Sequence, residues 1–404
     1  MLGTPFEKHD VVRVAIVGLG SRQSTLLSSL VKIAGARVEA LCDLNADRVS
    51  KFAESIRVAG HEVPHLYSGP DALQNLRADA GRVDLAIIAT AWTDHAWIAI
   101  DLMNAGLHVA VEVPAAVTIE DCWALVDASE RTKRHCVMLE NCSYGDEELL
   151  MLNMVRAGVF GELVHADASY IHDLRNYYLE KPWRLHARAI RNGNLYPTHG
   201  LAPVANYLQI NRGDRFVTMA SLSSAAIGLQ SYFREIGHEP EEAYVAGDMN
   251  VSILRTARGR TVMLQHDEVS PRPYNRHNVI SGDKGYASGF ANEVYLQSEI
   301  PALGIPVSHD PQPLDAMREQ YEHRFWALNR EQALLGGHGG IDYIMLWRLI
   351  DTMLNGREPD MDVYDAAVLS SIGPLSERSN GELAFVDVPD FTRGRWADER
   401  VAYM

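Results

Sequence analysis

The chain has 404 residues, more than one small module needs, and at roughly 150 residues per domain the length points to two or three domains. Hydrophobic residues make up 47% and charged residues 22%, a balance that supplies a sizeable core and excludes wholesale disorder. With 37 Lys and Arg against 53 Asp and Glu the formal net charge is −16, which repels nucleic-acid phosphates and anionic membrane surfaces and leaves a small molecule as the expected partner.

From Val11 to about Glu140, short β-branched runs alternate with amphipathic stretches of helix length. VVRVAIV, VEALC, DLAIIAT, HVAVEV and HCVMLE read as strands, and their near-continuous apolar character is that of strands buried on both faces. Helices are expected near Ser24 to Ile33, Ala46 to Ala59, His95 to Ala105 and Ile119 to Thr132. This is an α/β pattern: a Rossmann-type, doubly wound parallel sheet over residues 1–140. Residues 141–404 read as a second, α+β domain. After a helix near Asp146 to Ala157, LVHADASYIHDL and stretches near Arg215 to Ser224, Met249 to Thr256 and Thr261 to Asp267 alternate apolar and polar residues, as in an open, mostly antiparallel sheet. Helices near Ile341 to Asn355 and Val363 to Ser371 close the chain.

Cys42, Cys122, Cys136 and Cys142 form no CxxC pair, so they read as reduced, buried thiols; no histidine pair or carboxylate cluster argues for a metal, and none is expected. No apolar run reaches the roughly 18 residues of a membrane span. The start MLGTPFEKHD has neither a basic n-region nor an apolar h-region, so the chain reads as cytoplasmic, a reading that a trimmed export leader would leave unchanged. A homo-oligomer is expected.

Gly18 and Gly20 follow the first strand directly and precede a helix, the context in which backbone approaches a pyrophosphate. The third glycine of G-x-G-x-x-G is Gln23. Asp43 ends the second strand, where its carboxylate can accept hydrogen bonds from both ribose hydroxyls and repel a 2′-phosphate, favouring NAD over NADP; capping of the helix from Ala46 is its other possible use.

ATAWTDHAWIAIDLMNAGLHVAVEVP, a strand, A-T-x-x-x-x-H, a helix, a strand and E-x-P, resembles the Gfo/Idh/MocA superfamily of NAD(P)-dependent sugar oxidoreductases. There the last motif is usually E-K-P, with a lysine that moves the hydroxyl proton; here it reads Glu112, Val113, Pro114, and valine transfers no proton. MLENCSYG, PWRLHARAIRNGNLYPTHGLAPV, QHDEVSPRPYNR, GGHGGIDYIMLWRLI and PDFTRGRW extend the resemblance, over about residues 11 to 396, to glycoside hydrolase family 109, described as NAD-dependent α-N-acetylgalactosaminidases. The departures are Gln23, Ala91, Ser143 and Ala202. The resemblance implies that Ser21, Arg22, Asp43, Trp92, His95, Glu112, Val113 and Asn141 contact NAD, and that Tyr170, Arg184, Tyr196, His199 and Tyr274 line the sugar site.

It also implies a redox route to hydrolysis. Oxidation at C3 makes the C2 proton acidic, its removal expels the C1 aglycone, water adds, C2 regains a proton, and reduction restores C3. His199, of a class that titrates near neutrality, is the candidate for one proton transfer; Tyr144 or Tyr196, a phenol that a cation such as Arg184 would acidify, is the candidate for the other. The alternatives are the same chemistry on a sulfoquinovoside bound by Arg184, Arg188, Arg272 and Arg276, a sugar dehydrogenase, or a non-catalytic NAD-dependent sensor.

Overall fold

Strand β1, Val12–Val17, is buried at every position except Arg13, as its unbroken apolar sequence requires. The computed structural model describes residues 1–239, 243–297 and 310–398. In it β1 joins β2 (Ala36–Asp43), β3 (His65–Ser68), β4 (Leu85–Ile88), β5 (His108–Val111) and β6 (Cys136–Met138) in a sheet ordered β3-β2-β1-β4-β5-β6, every pair parallel. Val14 sits opposite Val38 on one side and Leu85 on the other. The order reverses between β1 and β4, the switch point where such sheets receive ligands at their carboxyl ends. Strand β3 and the helix Ala72–Ala78 were not expected: HLYS is an edge strand with no fully buried residue, so it lacks the apolar run that marks the others.

Two compact units divide the chain: Met1–Tyr144 with Arg324–Ser370, and Gly145–His323 with residues 371–398. The expected boundary at 140 thus falls after Tyr144, and Arg324–Ser370 returns to the first unit. The reason is helix Ile341–Asn355. Tyr343, Ile344, Met345, Leu346, Leu349, Ile350 and Met353 leave it with more than one apolar face, covered by helices Ser21–Leu30 and Arg324–Ala333.

The second unit is built on β7 (Leu163–Ile171), β8 (Phe216–Ser223), β9 (Met249–Thr256), β10 (Thr261–Asp267), β11 (Val279–Gly282), β12 (Gly285–Ser288), β13 (Glu293–Leu296), β14 (Gln312–Pro313) and β15 (Val386–Asp387). Their order is β14-β13-β12-β11-β7-β10-β9-β8-β15, antiparallel except for the β7–β10 pair. Strand β9 shows the expected alternation, with Asn250, Ser252, Leu254 and Thr256 buried and Val251, Ile253 and Arg255 exposed. Strands β11 to β13 have four residues each, too short for a period to be read from sequence. Helix Val363–Glu382 runs past the expected end at Ser371, through Pro374. On its later turns Ser376 Oγ accepts the Asn194 N–H (2.7 Å) and Ser379 Oγ accepts the Ser221 N–H (2.9 Å). The four cysteines are buried and in no disulfide. No helix among the described residues is long and apolar enough to cross a membrane.

The N-terminal segment is tied to the first sheet by two histidines. The Phe6 ring lies 5.0 Å from that of His108 and 4.2 Å from that of His135. The His135 backbone N–H donates to His108 Nδ1 (2.9 Å), so the His108 proton sits on Nε2, which donates to Glu7 (2.8 Å). Burial holds His108 below its ordinary value, and burial with the neighbouring His108 pushes His135 down to about 3. Both rings titrate near 6.5 when unfolded. Their contribution to stability is therefore full above about pH 6.5 and is withdrawn as the pH falls toward the folded values. Thermal unfolding followed from pH 7 to pH 5 should show a falling midpoint, with a shallower slope in His135→Leu.

Candidate active site

At the end of β1 the chain turns at Gly18, whose φ of +84° a side chain rarely adopts, and an added Cβ would stand 2.7 Å from Thr90 Cγ2 and 2.9 Å from the Ala89 oxygen. At Gly20 a Cβ would meet nothing within 4 Å, so that side of the turn is open to a ligand. Helix Ser21–Leu30 starts there without a side-chain cap, and its exposed first residue is Ser21. An open glycine turn at an uncapped helix N-terminus fits a pyrophosphate. Asp43 accepts the Leu19 N–H on Oδ2 (2.6 Å) and the Asn45 N–H on Oδ1 (2.8 Å). It braces the turn while each oxygen keeps a lone pair for a ribose hydroxyl. The cap of helix Ala46–Val58 is Asn45, not Asp43. Gln23, in the third glycine position, is fully buried, and neither polar atom of its amide makes a hydrogen bond.

Behind the turn, Arg22 donates to Glu112 through Nε (2.6 Å) and to both oxygens of Asp342 through Nη1 and Nη2 (2.9 Å each). Asp342 also accepts from Asn141 Nδ2 (2.8 Å) and lies 2.7 Å from His338 Nδ1. Burial would raise its pKa, but the His338 bond and the Arg22 charge outweigh burial and hold the carboxyl well below the usual range. Asp342 and His338 belong to GGHGGIDYIM, where no local spacing sets either residue apart. Three of the expected NAD contacts, Arg22, Glu112 and Asn141, are thus joined through an aspartate that sequence reasoning missed.

Trp92 is buried at the start of helix Trp92–Asn104. His95 on the same helix lies between two carbonyls, Nδ1 at 2.8 Å from Pro114 O and Nε2 at 3.1 Å from Thr90 O, and burial lowers its pKa. It ties the end of β4 to the Glu112–Pro114 turn. Val113 is buried, and its N–H donates to Glu112 Oε2 (3.2 Å). Tyr144 is buried in the first unit, its hydroxyl donates to Asp360 (3.3 Å), and Arg348 grips the same carboxylate (2.9 Å). Burial, with the Asp360 charge, raises its pKa well above that of an ordinary phenol.

The second unit gathers the expected sugar-lining residues. Tyr170 is near the end of β7, and Tyr196 and His199 flank the start of helix Thr198–Tyr207. Ring centroids are 5.1 Å apart for Tyr170–Tyr196, 5.2 Å for Tyr170–His199 and 4.8 Å for Tyr196–His199. Tyr274, half exposed, stands 6.2 Å from Tyr170, and Arg276 donates to its hydroxyl (2.9 Å). The Arg184 guanidinium lies 5.1 Å over the Tyr196 ring. The cluster depends on Gly200: a Cβ there would be 2.4 Å from the Ser169 oxygen and 2.6 Å from its nitrogen, so the helix rests directly on β7.

Two more residues join the cluster. His172 Nδ1 lies 3.1 Å from the Tyr170 hydroxyl, and its ring lies 4.9 Å from that of Tyr274. His165, by contrast, binds Thr261 and Asp167 along the sheet. Glu268, buried just past β10, is 3.5 Å from Arg184, 3.6 Å from His266 and accepts the Tyr178 hydroxyl. Burial opposes its charge, yet Arg184, His266 and Tyr178 hold it ionised, well below the usual range. Its signal was a carboxylate directly after an alternating strand, inside QHDEVSPRPYNR.

A parallel sheet with a glycine turn at its switch point, together with a second unit of clustered tyrosines, histidines and a paired arginine, defines an NAD-binding protein of the oxidoreductase type. Residues 12–140 match the family model described as "Oxidoreductase family, NAD-binding Rossmann fold", and residues 144–398 match "Glycosyl hydrolase 109, C-terminal domain". The chain is 44% identical to a "Glycosyl hydrolase family 109 protein" of Solibacter usitatus, over 98% of this chain and 92% of that one. It is 41% identical to an "Alpha-N-acetylgalactosaminidase" of Shewanella oneidensis, over 98% of this chain and 88% of that one. Among solved structures, levoglucosan dehydrogenase in complex with NADH and levoglucosan shares the fold, at a TM-score of 0.71 and 19% identity, over 94% of this chain and 99% of that one. An oxidoreductase domain protein from Kribbella flavida does so at 0.70 and 18%, over 94% and 100%. The chain belongs to glycosyl hydrolase family 109 and is an NAD-dependent glycoside hydrolase.

Because the atoms a Cβ at Gly200 would meet are backbone, Gly200→Ala should lower stability by about 1–3 kcal/mol, the usual cost of overpacking. It should also reduce turnover by displacing His199, while NAD content stays at the wild-type level. Denaturant midpoints, turnover and cofactor release from denatured protein measure the three.

Proposed function

We propose that the chain hydrolyses an α-N-acetylgalactosaminide by reversible oxidation at C3 of the sugar. The observation that carries this is the meeting of Tyr170, Tyr196, His199 and Arg184 within one cluster, with a buried valine where a plain dehydrogenase would hold its lysine. The name of the Shewanella oneidensis relative supports the choice of sugar. When bound, NAD supplies a hydride acceptor that is regenerated in each cycle. Gly18, Gly20 and Ser21 would hold its pyrophosphate, Asp43 its ribose, and the Arg22–Asp342–Asn141 network, with Glu112, Trp92, His95 and Val113, the rest.

On the sugar, oxidation at C3 turns the C2 hydrogen into an α-proton, and its removal gives an enolate that expels the aglycone from C1. Water adds at C1, C2 is reprotonated, and reduction restores C3, so the net change is hydrolysis. His199 takes the proton from the C3 hydroxyl or from C2, and Tyr196, whose ring the Arg184 guanidinium covers, handles the other transfer. Tyr170 and Tyr274 orient the ring.

A sulfoquinovoside is disfavoured because three of the four arginines that would meet a sulfonate already face carboxylates. Arg184 faces Glu268 at 3.5 Å, Arg276 pairs with Glu148, Arg272 lies 3.7 Å from Asp267, and buried Arg188 donates to the carbonyls of Ala246 and Gly247.

A screen of nitrophenyl α- and β-glycosides should show nitrophenol release from the N-acetyl-α-galactosaminide with no net NADH absorbance, and deuterium at C2 of the product formed in D₂O. Stoichiometric NADH with a ketosugar product would replace this function with a dehydrogenase. His199→Ala should lower turnover by at least about 100-fold, the lower range for losing a general acid or base, with NAD content and melting temperature retained. A folded, NAD-loaded and fully active variant would remove His199 from the mechanism.

A further inference from the structure

Three arginines of the second unit differ in how they are neutralised. Arg276 pairs with Glu148 in the first turn of helix Asp146–Arg156, and half-buried Arg272 reaches Asp267. Arg184 is different: it is 9% exposed, it stacks over the Tyr196 ring, and the carboxylate facing it, Glu268, is 1% exposed. Glu268 meets Arg184 through Oε1, while its other oxygen, Oε2, accepts the Tyr178 hydroxyl and lies 3.6 Å from His266 Nε2. A guanidinium so buried beside a binding surface acts as an anion receptor unless a fixed negative charge cancels it.

We propose that Glu268 is a specificity-determining residue: by cancelling the charge of Arg184 it makes the site select an uncharged sugar over its anionic counterpart. This rests on the assignment of the aromatic cluster as the sugar site, but not on which sugar is cleaved. Glu268 touches neither the reacting carbons nor the cofactor; it acts through Arg184. With the pair intact, Arg184 presents a hydrogen-bonding edge of nearly zero net charge, suited to hydroxyl and amide oxygens. With Glu268 neutralised, the same edge carries a buried positive charge, and a carboxylate or sulfonate on the sugar becomes its best available counter-ion. With Arg184 neutralised instead, Glu268 leaves a buried negative charge that repels the same anion. The two substitutions therefore have opposite signs, which a loss of packing would not produce.

The test uses the NAD-loaded protein and two matched pairs of ligands, galactose with galacturonate and glucose with glucuronate, whose members differ only in the C6 group. Dissociation constants are measured by titration for wild type, Glu268→Gln and Arg184→Gln. Wild type should bind the neutral member of each pair more tightly. Glu268→Gln should shift the ratio toward the uronate by at least about ten-fold, and Arg184→Gln should shift it away by a similar factor, whatever each does to affinity overall. If Glu268→Gln does not fold, the sign of the Arg184→Gln shift carries the test. Folded, NAD-loaded variants that keep the wild-type ratio would overturn the proposal, as would a wild-type protein that prefers the uronates. Opposite shifts in a protein that cleaves no N-acetyl-α-galactosaminide would support the role of Glu268 while removing the sugar assigned above.

Discussion

Helix Thr198–Tyr207 lies on strand β7 with no side chain between Gly200 and the Ser169 backbone, and the meeting of Tyr196 and His199 with Tyr170 hangs on that contact. Any other residue at 200 would force the helix outward. With glycine there, His199 and Tyr196 stand at the lip of the helix while Tyr170 rises from the strand beneath, and three rings meet within about the distance of van der Waals contact. The proline at 197 ends the extended approach and starts the helix, so the direction of His199 is set by the backbone and not by its own rotamer alone.

Buried charge is handled the same way in both units. Arg22 meets Glu112 and Asp342, Arg348 meets Asp360, and Arg184 meets Glu268. An uncompensated buried ion is costly, so each of these arginines has a carboxylate, brought to Arg22 and Arg184 by segments far along the chain and to Arg348 by the turn that follows its own helix. The result is guanidinium groups held as rigid scaffolding. Asp342 collects the glycine turn, through Arg22, and the end of the β6 segment, through Asn141, at one carboxylate. Glu268 does the corresponding work behind Tyr196.

The fold alone would not have separated a glycosidase from a dehydrogenase, because the same architecture serves both chemistries. The difference lies in a few side chains. Val113 is buried and aprotic where a lysine would move a proton, and His199 and Tyr196, proposed above for the proton transfers, belong to the second unit.

The parallel sheet, the glycine turn, Asp43 and the YPTH string were legible in sequence because each rests on local chemistry: an unbroken β-branched run, a backbone needing φ above zero, a polar side chain at a strand end. Edge strand β3, the four-residue strands β11 to β13 and the return of Arg324–Ser370 to the first unit were not, since none carries enough local periodicity to read. The surroundings of Tyr144 and His172 were not legible for a related reason: whether a phenol donates to a buried carboxylate or an imidazole faces a tyrosine is decided by partners far along the chain. Sequence by itself determined the fold class, the family and the residues able to carry chemistry. Only the tertiary structure decided which of them meet, because charge compensation by Asp342 and Glu268 and the bare contact at Gly200 are made between segments that the sequence keeps apart.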